Sequence, residues 1–211
     1  MIRRSLARPW LILGAALLVG VLLAGVAMAQ TSKPSANQFK LVRSQSAVDV
    51  GNTCLKGASA NVKVTDAGQG NQNLDVTLNN AAKKTDFTVF LLQQPDSPFG
   101  VSWYQGDIST DKQGNGKGRF VGIFNDEVFA IALGAVDVPQ VDPKDQKMKN
   151  PTFDPVHTFH LGVWFADPKE GKAAGCSPKG LTVTPFDGDH EAGIQALSTR
   201  KFPALKGPLG P

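Results

Sequence analysis

The sequence predicts an all-β protein: a single antiparallel β-sandwich, Ig-like or jelly-roll-like, preceded by an N-terminal signal or anchor helix. Three observations predict it. Apolar and polar residues alternate with a period of two in several short stretches, the pattern of a strand with one buried face. Clusters of Gly, Asn and Asp separate those stretches, as turns do. No long amphipathic pattern follows residue 29, which argues against α/β and dinucleotide-binding layouts.

The N-terminal segment comes first. Arg3, Arg4 and Arg8 precede an uncharged run from Trp10 to Ala29 that is mostly Leu, Val, Ala and Gly. The run closes on Ala27-Met28-Ala29, a small-x-small pattern. A positive start, an apolar centre and such a site define a secretory signal, so residues 1–29 are expected to be removed and the rest exported. The run is also long enough to span a bilayer, and an uncleaved anchor is the alternative; either way the arginines stay inside and the domain lies outside. Arg3-Arg4-Ser5-Leu6 weakly resembles a twin-arginine signal.

Cleavage changes the charge. The chain has 22 basic and 18 acidic residues, and losing the three arginines leaves 19 against 18. A mature net charge of +1 gives no reason to expect a nucleic-acid partner. The expected partner is an envelope or extracellular molecule, with membrane contact only through an uncleaved N-terminal segment. Cys54 and Cys176 are the two cysteines. In an oxidising compartment an even count predicts one disulfide, here a staple between the start and the end of the domain.

Residues 30–50 read as a flexible lead-in and a first strand, 51–200 as the sandwich and 201–211 as a Pro/Gly tail. Ala60, Val62 and Val64 alternate with polar residues, as do Leu74, Val76 and Leu78, with the Gly- and Asn-rich run 66–73 as the turn between them. Phe87 to Leu92 is continuously apolar and reads as a central strand. Phe99 to Tyr104 and Asp107 to Thr110 lead into a turn at 111–116, and Gly118 to Phe124 returns as the hairpin partner. Val128 to Leu133 is a further strand. Residues 137–155, with four prolines and five charged residues between Asp142 and Lys149, read as a long loop. His157 to Phe165 and Leu181 to Thr184 are strands, and residues 187–199 are expected to hold one helical turn before a last short strand.

Few motifs carry chemistry. Asp111-x-Gln113-x-Asn115-Gly116 opens like a calcium loop, but the twelfth position, which must hold a carboxylate, is Gly122; a hairpin turn is the better reading. No G-x-S-x-G elbow occurs. A blue-copper site fails because no His or Met follows Cys176 closely. No cofactor is expected. His157 and His160 point to opposite faces of their strand and cannot share one metal ion. The turn Asp187-Gly-Asp189-His190-Glu191 is the best metal candidate, from Asp187, Asp189, His190 and Glu191, although a solvated turn is the plainer reading. Tyr104, His160 and Trp164 fall on outward faces and form a candidate ligand patch, unless the long loop or the C-terminal segment covers them.

The stretches 99–107 (FGVSWYQGD), 156–165 (VHTFHLGVWF) and 184–195 (TPFDGDHEAGIQ) resemble a group of exported bacterial β-rich proteins with no assigned function. The resemblance implies an exported β domain and no particular site. From sequence, the protein is therefore expected to be a secreted or cell-surface module with a binding or structural role. A metal protein or hydrolase built on the Asp187–Glu191 turn is the alternative.

Overall fold

A computed structural model describes residues 37–124, 129–130, 155–156, 160–177, 191–204 and 206–209. The N-terminal segment lies outside them, and no described helix is long and apolar enough to cross a membrane. Among the described residues, ten strands and two short helices occur in the order β1 (Asn37–Arg43), α1 (Gln45–Val50), β2 (Ser59–Gly68), β3 (Asn71–Asn79), β4 (Asp86–Leu92), β5 (Ser102–Ser109), β6 (Gly116–Gly122), β7 (Phe129–Ala130), β8 (Pro155–Val156), β9 (His160–Phe165), α2 (Pro168–Ala173) and β10 (Gln195–Ser198).

The domain is mostly β, but it is not a two-sheet sandwich. Eight strands form one sheet in the order β5-β4-β9-β10-β1-β2-β3-β6, every pairing antiparallel. The two outermost strands, β5 and β6, are consecutive in the chain, and Thr110 pairs with Gly116 across the turn that joins them. The sheet therefore curls until its edges meet at that turn, and it is nearly barrel-shaped. A period-two pattern fixes which face is buried but not whether that face packs on a second sheet or on its own far side. β7 and β8 pair separately as a two-stranded ribbon.

The barrel interior follows the alternation. Phe39 and Leu41, Ala60, Val62 and Val64, Leu74, Val76 and Leu78, and Phe87, Val89 and Leu91 all point inward. Leu161, Val163 and Phe165 of β9 complete the ring. On β6 the inward positions opposite Leu78 and Val76 are Gly116 and Gly118. A Cβ on Gly118 would lie 2.7 Å from Ile108 Cγ1, so the missing side chain makes room for an Ile reaching in from β5. That exchange allows the two edges to approach.

β2 and β3 run almost to the tip of their hairpin. The turn contracts to Gln69-Gly70, both with positive φ, as the twist-matching two-residue turns require. β5 is continuous from 102 to 109, with the extra residue Gln105 absorbed where its register against β4 shifts. At the 111–115 turn the Asp111 carboxylate accepts from the N–H groups of Gln113 and Asn115 at 2.8 and 2.9 Å. The motif that resembled a calcium loop thus uses its first carboxylate to close a hairpin.

The helices are short and capped. Ser44 Oγ accepts from Ala47 N–H at the start of α1, and Arg43 Nη2 donates to Ala47 O and Gly51 O at its far end. Asp167 caps α2, Pro168 sits in its first turn, and Gly175, with φ of 74°, follows its end. Cys54, after α1, is bonded to Cys176, after α2. Both cysteines are buried, and the bridge closes a loop of 122 residues in sequence separation.

Residues 201–204 and 206–209 are not a loose tail. Phe202 packs edge-on against Phe39 with ring centroids 6.3 Å apart, and Leu209 is buried in the core. Asn37 Nδ2 donates to Pro208 O, and Arg200 Nε donates to Arg43 O. The segment is a strap across β1.

Candidate functional site

The outward faces of β4 and β9 carry a second apolar cluster of Phe90, Leu92, Phe99, Trp164 and Ala192. Trp164 is fully buried there, with Phe90 and Phe99 edge-on at 5.4 and 5.2 Å. Its indole folds over Gly162, where a Cβ would stand 2.4 Å from the ring. The 93–101 connection and the 191–194 stretch supply the covering residues Phe99 and Ala192.

His160 is fully buried as well. Its Nε2 donates to Ala204 O at 2.9 Å, and its Nδ1 accepts from Thr199 Oγ1 at 2.8 Å, the tautomer that the carbonyl dictates. Burial pushes its pKa down to about 4. His160 is thus a neutral clamp on the C-terminal strap. Of the candidate patch Tyr104, His160 and Trp164, only Tyr104 reaches solvent. Its ring packs on Phe90 at 5.7 Å and its hydroxyl donates to Asp107 Oδ2 at 2.9 Å. The patch does not form because the strap and the 93–101 and 191–194 segments cover the other two side chains.

Asp187, Asp189, His190 and His157 lie outside the described residues, whereas Glu191 is exposed. Among the described residues no three His, Cys, Asp or Glu side chains are grouped to hold a metal ion.

A concave feature among the described residues lies at the disulfide end of the barrel. It is an open cleft of about 570 Å³ with three walls. The connection between α1 and β2 supplies Thr53, Leu55 and Lys56. The β3–β4 turn supplies residues 80–85, including Lys83 and Lys84, and α2 supplies Glu170, Ala173 and Ala174. Hydrogen bonds hold the middle wall against the β5–β6 turn. Ala81 N–H donates to Gly114 O at 2.9 Å and Lys84 N–H to Asp111 O at 3.0 Å. Thr110 Oγ1 donates to Ala82 O at 2.7 Å. The Cys54–Cys176 bridge ties the first wall to the third.

Two properties set this cleft apart. Leu55, Asn80 and Lys84 adopt positive φ, three of the five non-glycine residues that do so among those described. Left-handed backbone at a leucine or lysine costs roughly 1–2 kcal/mol and persists only where surrounding contacts impose it. The charge balance is also one-sided. Lys56, Lys83 and Lys84 are exposed, and none is ion-paired with a described residue. The opposing carboxylate is Glu170. Its Oε1 accepts from Asp86 N–H at 3.2 Å, and its Oε2 is buried with no hydrogen-bond partner among the described residues. Burial pushes the Glu170 carboxyl above its ordinary pKa, and the nearby charges of Asp86 and Asp167 add to that. Sequence reasoning passed over this site because its residues come from three separate segments. The available signal was the doublet Lys83-Lys84 in a turn between two apolar strands.

No protein-family model matches the chain, and no curated protein matches it in sequence.

Proposed function

We infer that the protein is a secreted or cell-surface binding module, held outside the cytoplasm and working without covalent chemistry. The observation that supports this reading is the cleft at the disulfide end. It is rigidly walled and large enough for a small ligand or the end of a glycan, and pockets of this size are the usual seats of such ligands. Its polar side chains do not make a nucleophile–base pair. Thr85 Oγ1 donates to Lys83 O, and Glu170 is engaged by the Asp86 backbone. The disulfide fits an oxidising compartment, which is where the N-terminal segment would deliver the chain.

The test is a binding screen of the exported protein against envelope glycans and co-purifying envelope proteins. A saturable ligand is expected. Failure to bind in every class, with the protein folded and its disulfide intact, would leave only a structural role. Intact mass of the exported form is expected to lack the first 29 residues; their retention would make the protein a membrane-tethered module.

A further inference from the structure

We propose that the cleft is an oxyanion-binding site whose ligand carries at least two phosphate or carboxylate groups beside a small apolar face. This deepens the binding reading above and rests on it. Lys56 and the Lys83-Lys84 pair approach from two different walls, so a ligand with two separated anionic groups can meet both. Lysine suits phosphate and carboxylate alike, because its ammonium group is a compact point charge without the planar fork of arginine. Beside the lysines the cleft is lined by Ala82, Ala173 and Ala174, whose short apolar side chains offer a shallow seat.

The charge asymmetry has no structural use within the described residues. A lysine pair kept only for solubility would not need a lysine backbone in the left-handed region with its N–H tied to Asp111 O. That bond fixes the main chain at the point where the Lys84 side chain departs. A ligand meeting this wall finds it already ordered, which lowers the entropy cost of binding. Glu170 is the residue that would repel an anion; it stands on the third wall, with Oε1 already accepting from Asp86 N–H.

The experiment is calorimetric titration of the full exported protein, disulfide intact, with inorganic pyrophosphate in one arm and citrate in the other. Pyrophosphate or citrate is expected to bind with one-to-one stoichiometry, more weakly as salt rises. The arm that binds more tightly assigns phosphate or carboxylate. The double variant Lys83→Glu/Lys84→Glu is expected to bind about tenfold more weakly or worse, given the Coulomb energy of two reversed charges near the ligand. Lys40→Glu, on the outer face of β1, is expected to bind like the parent. Ala173→Phe, which fills the seat without changing charge, is expected to abolish binding. Thermal melts of each variant show that the fold is kept.

No heat in either arm overturns the proposal, as does parent-like affinity in the Lys83/Lys84 double variant. Loss on charge reversal with full binding by Ala173→Phe also overturns it, because that pattern is diffuse surface attraction. If the charge-reversed protein still captures a glycan or protein in the screen, this inference fails while the binding reading stands. If neither anion nor screened partner binds, both fail.

Discussion

His160 shows how one buried side chain couples stability to pH. Its pKa in the folded protein is about 4 against 6.5 for the free side chain, so the fold favours the neutral ring. That preference contributes fully above pH 6.5 and is lost as pH falls from 6.5 through about 4, an effect of up to about 3 kcal/mol. Denaturant unfolding across this range is expected to show the loss. His160→Gln, which can still donate to Ala204 O but does not titrate, is expected to have a shallower pH slope; equal slopes would remove His160 as the cause. Gly162 makes the complementary point about space. A methyl group there meets the Trp164 ring, Leu92 and Gln195 together. Gly162→Ala is expected to destabilise by about 1–3 kcal/mol, read as a lower melting temperature with altered tryptophan fluorescence. Glu170 runs the other way. Its raised pKa means that ionisation at neutral pH opposes folding, a penalty that grows as pH rises through the folded value. Glu170→Gln is expected to raise the melting temperature at neutral pH and to leave it nearly unchanged in acid.

At the scale of elements, α2 and the α1–β2 connection depend on each other through Cys54 and Cys176. Neither short helix would persist alone, since isolated helices of this length are marginal in water. The bridge closes a loop of 122 residues, for which the chain-entropy treatment gives about 5 kcal/mol. Replacing both cysteines by serine is expected to cost about 2–5 kcal/mol in chemical denaturation. The cleft walls are expected to loosen first, seen as faster amide exchange at residues 53–56 and 169–174 than in the sheet. Uniform acceleration over the whole barrel would mean instead that the staple acts on the domain as a whole. α2 was legible in hindsight: Asp167-Pro168-Lys169-Glu170 is a capped helix start and Gly175 a stop. Its six residues give no hydrophobic period to reveal it.

Across the whole molecule, the strap closes what the sheet leaves open. Leu209 enters the core beside residues more than a hundred positions away, and Phe202 covers Phe39. Leu209→Ala is expected to cost about 2–5 kcal/mol, as other buried leucine truncations do. Since a domain of this size loses roughly 2–4 °C per kcal/mol, a scanning melt would show it. A melting temperature within a degree of the parent would mean that the strap is peripheral. A Pro- and Gly-rich ending looks like a tail because neither residue type shows a period. Only the contacts of Phe202, Pro208 and Leu209 distinguish a strap from a free end.

The sequence by itself determined the strands that alternate in chemistry, such as Ala60-Val62-Val64 and Leu74-Val76-Leu78, because a side chain's face depends only on its parity along the strand. It also determined that Leu161, Val163 and Phe165 share one face of β9 while Trp164 takes the other, and it pointed to the pairing of Cys54 with Cys176. Only the tertiary structure decided that the sheet rolls on itself, since that depends on Gly118 yielding to Ile108 across the β5–β6 turn. Burial of the outward face of β9 was equally a tertiary matter. Parity says that His160 and Trp164 point out of the barrel, and it is silent on what lies over them. The cleft belongs to the same class, because Lys56, Lys83 and Glu170 line one cleft only when two loops and α2 converge at one end of the barrel.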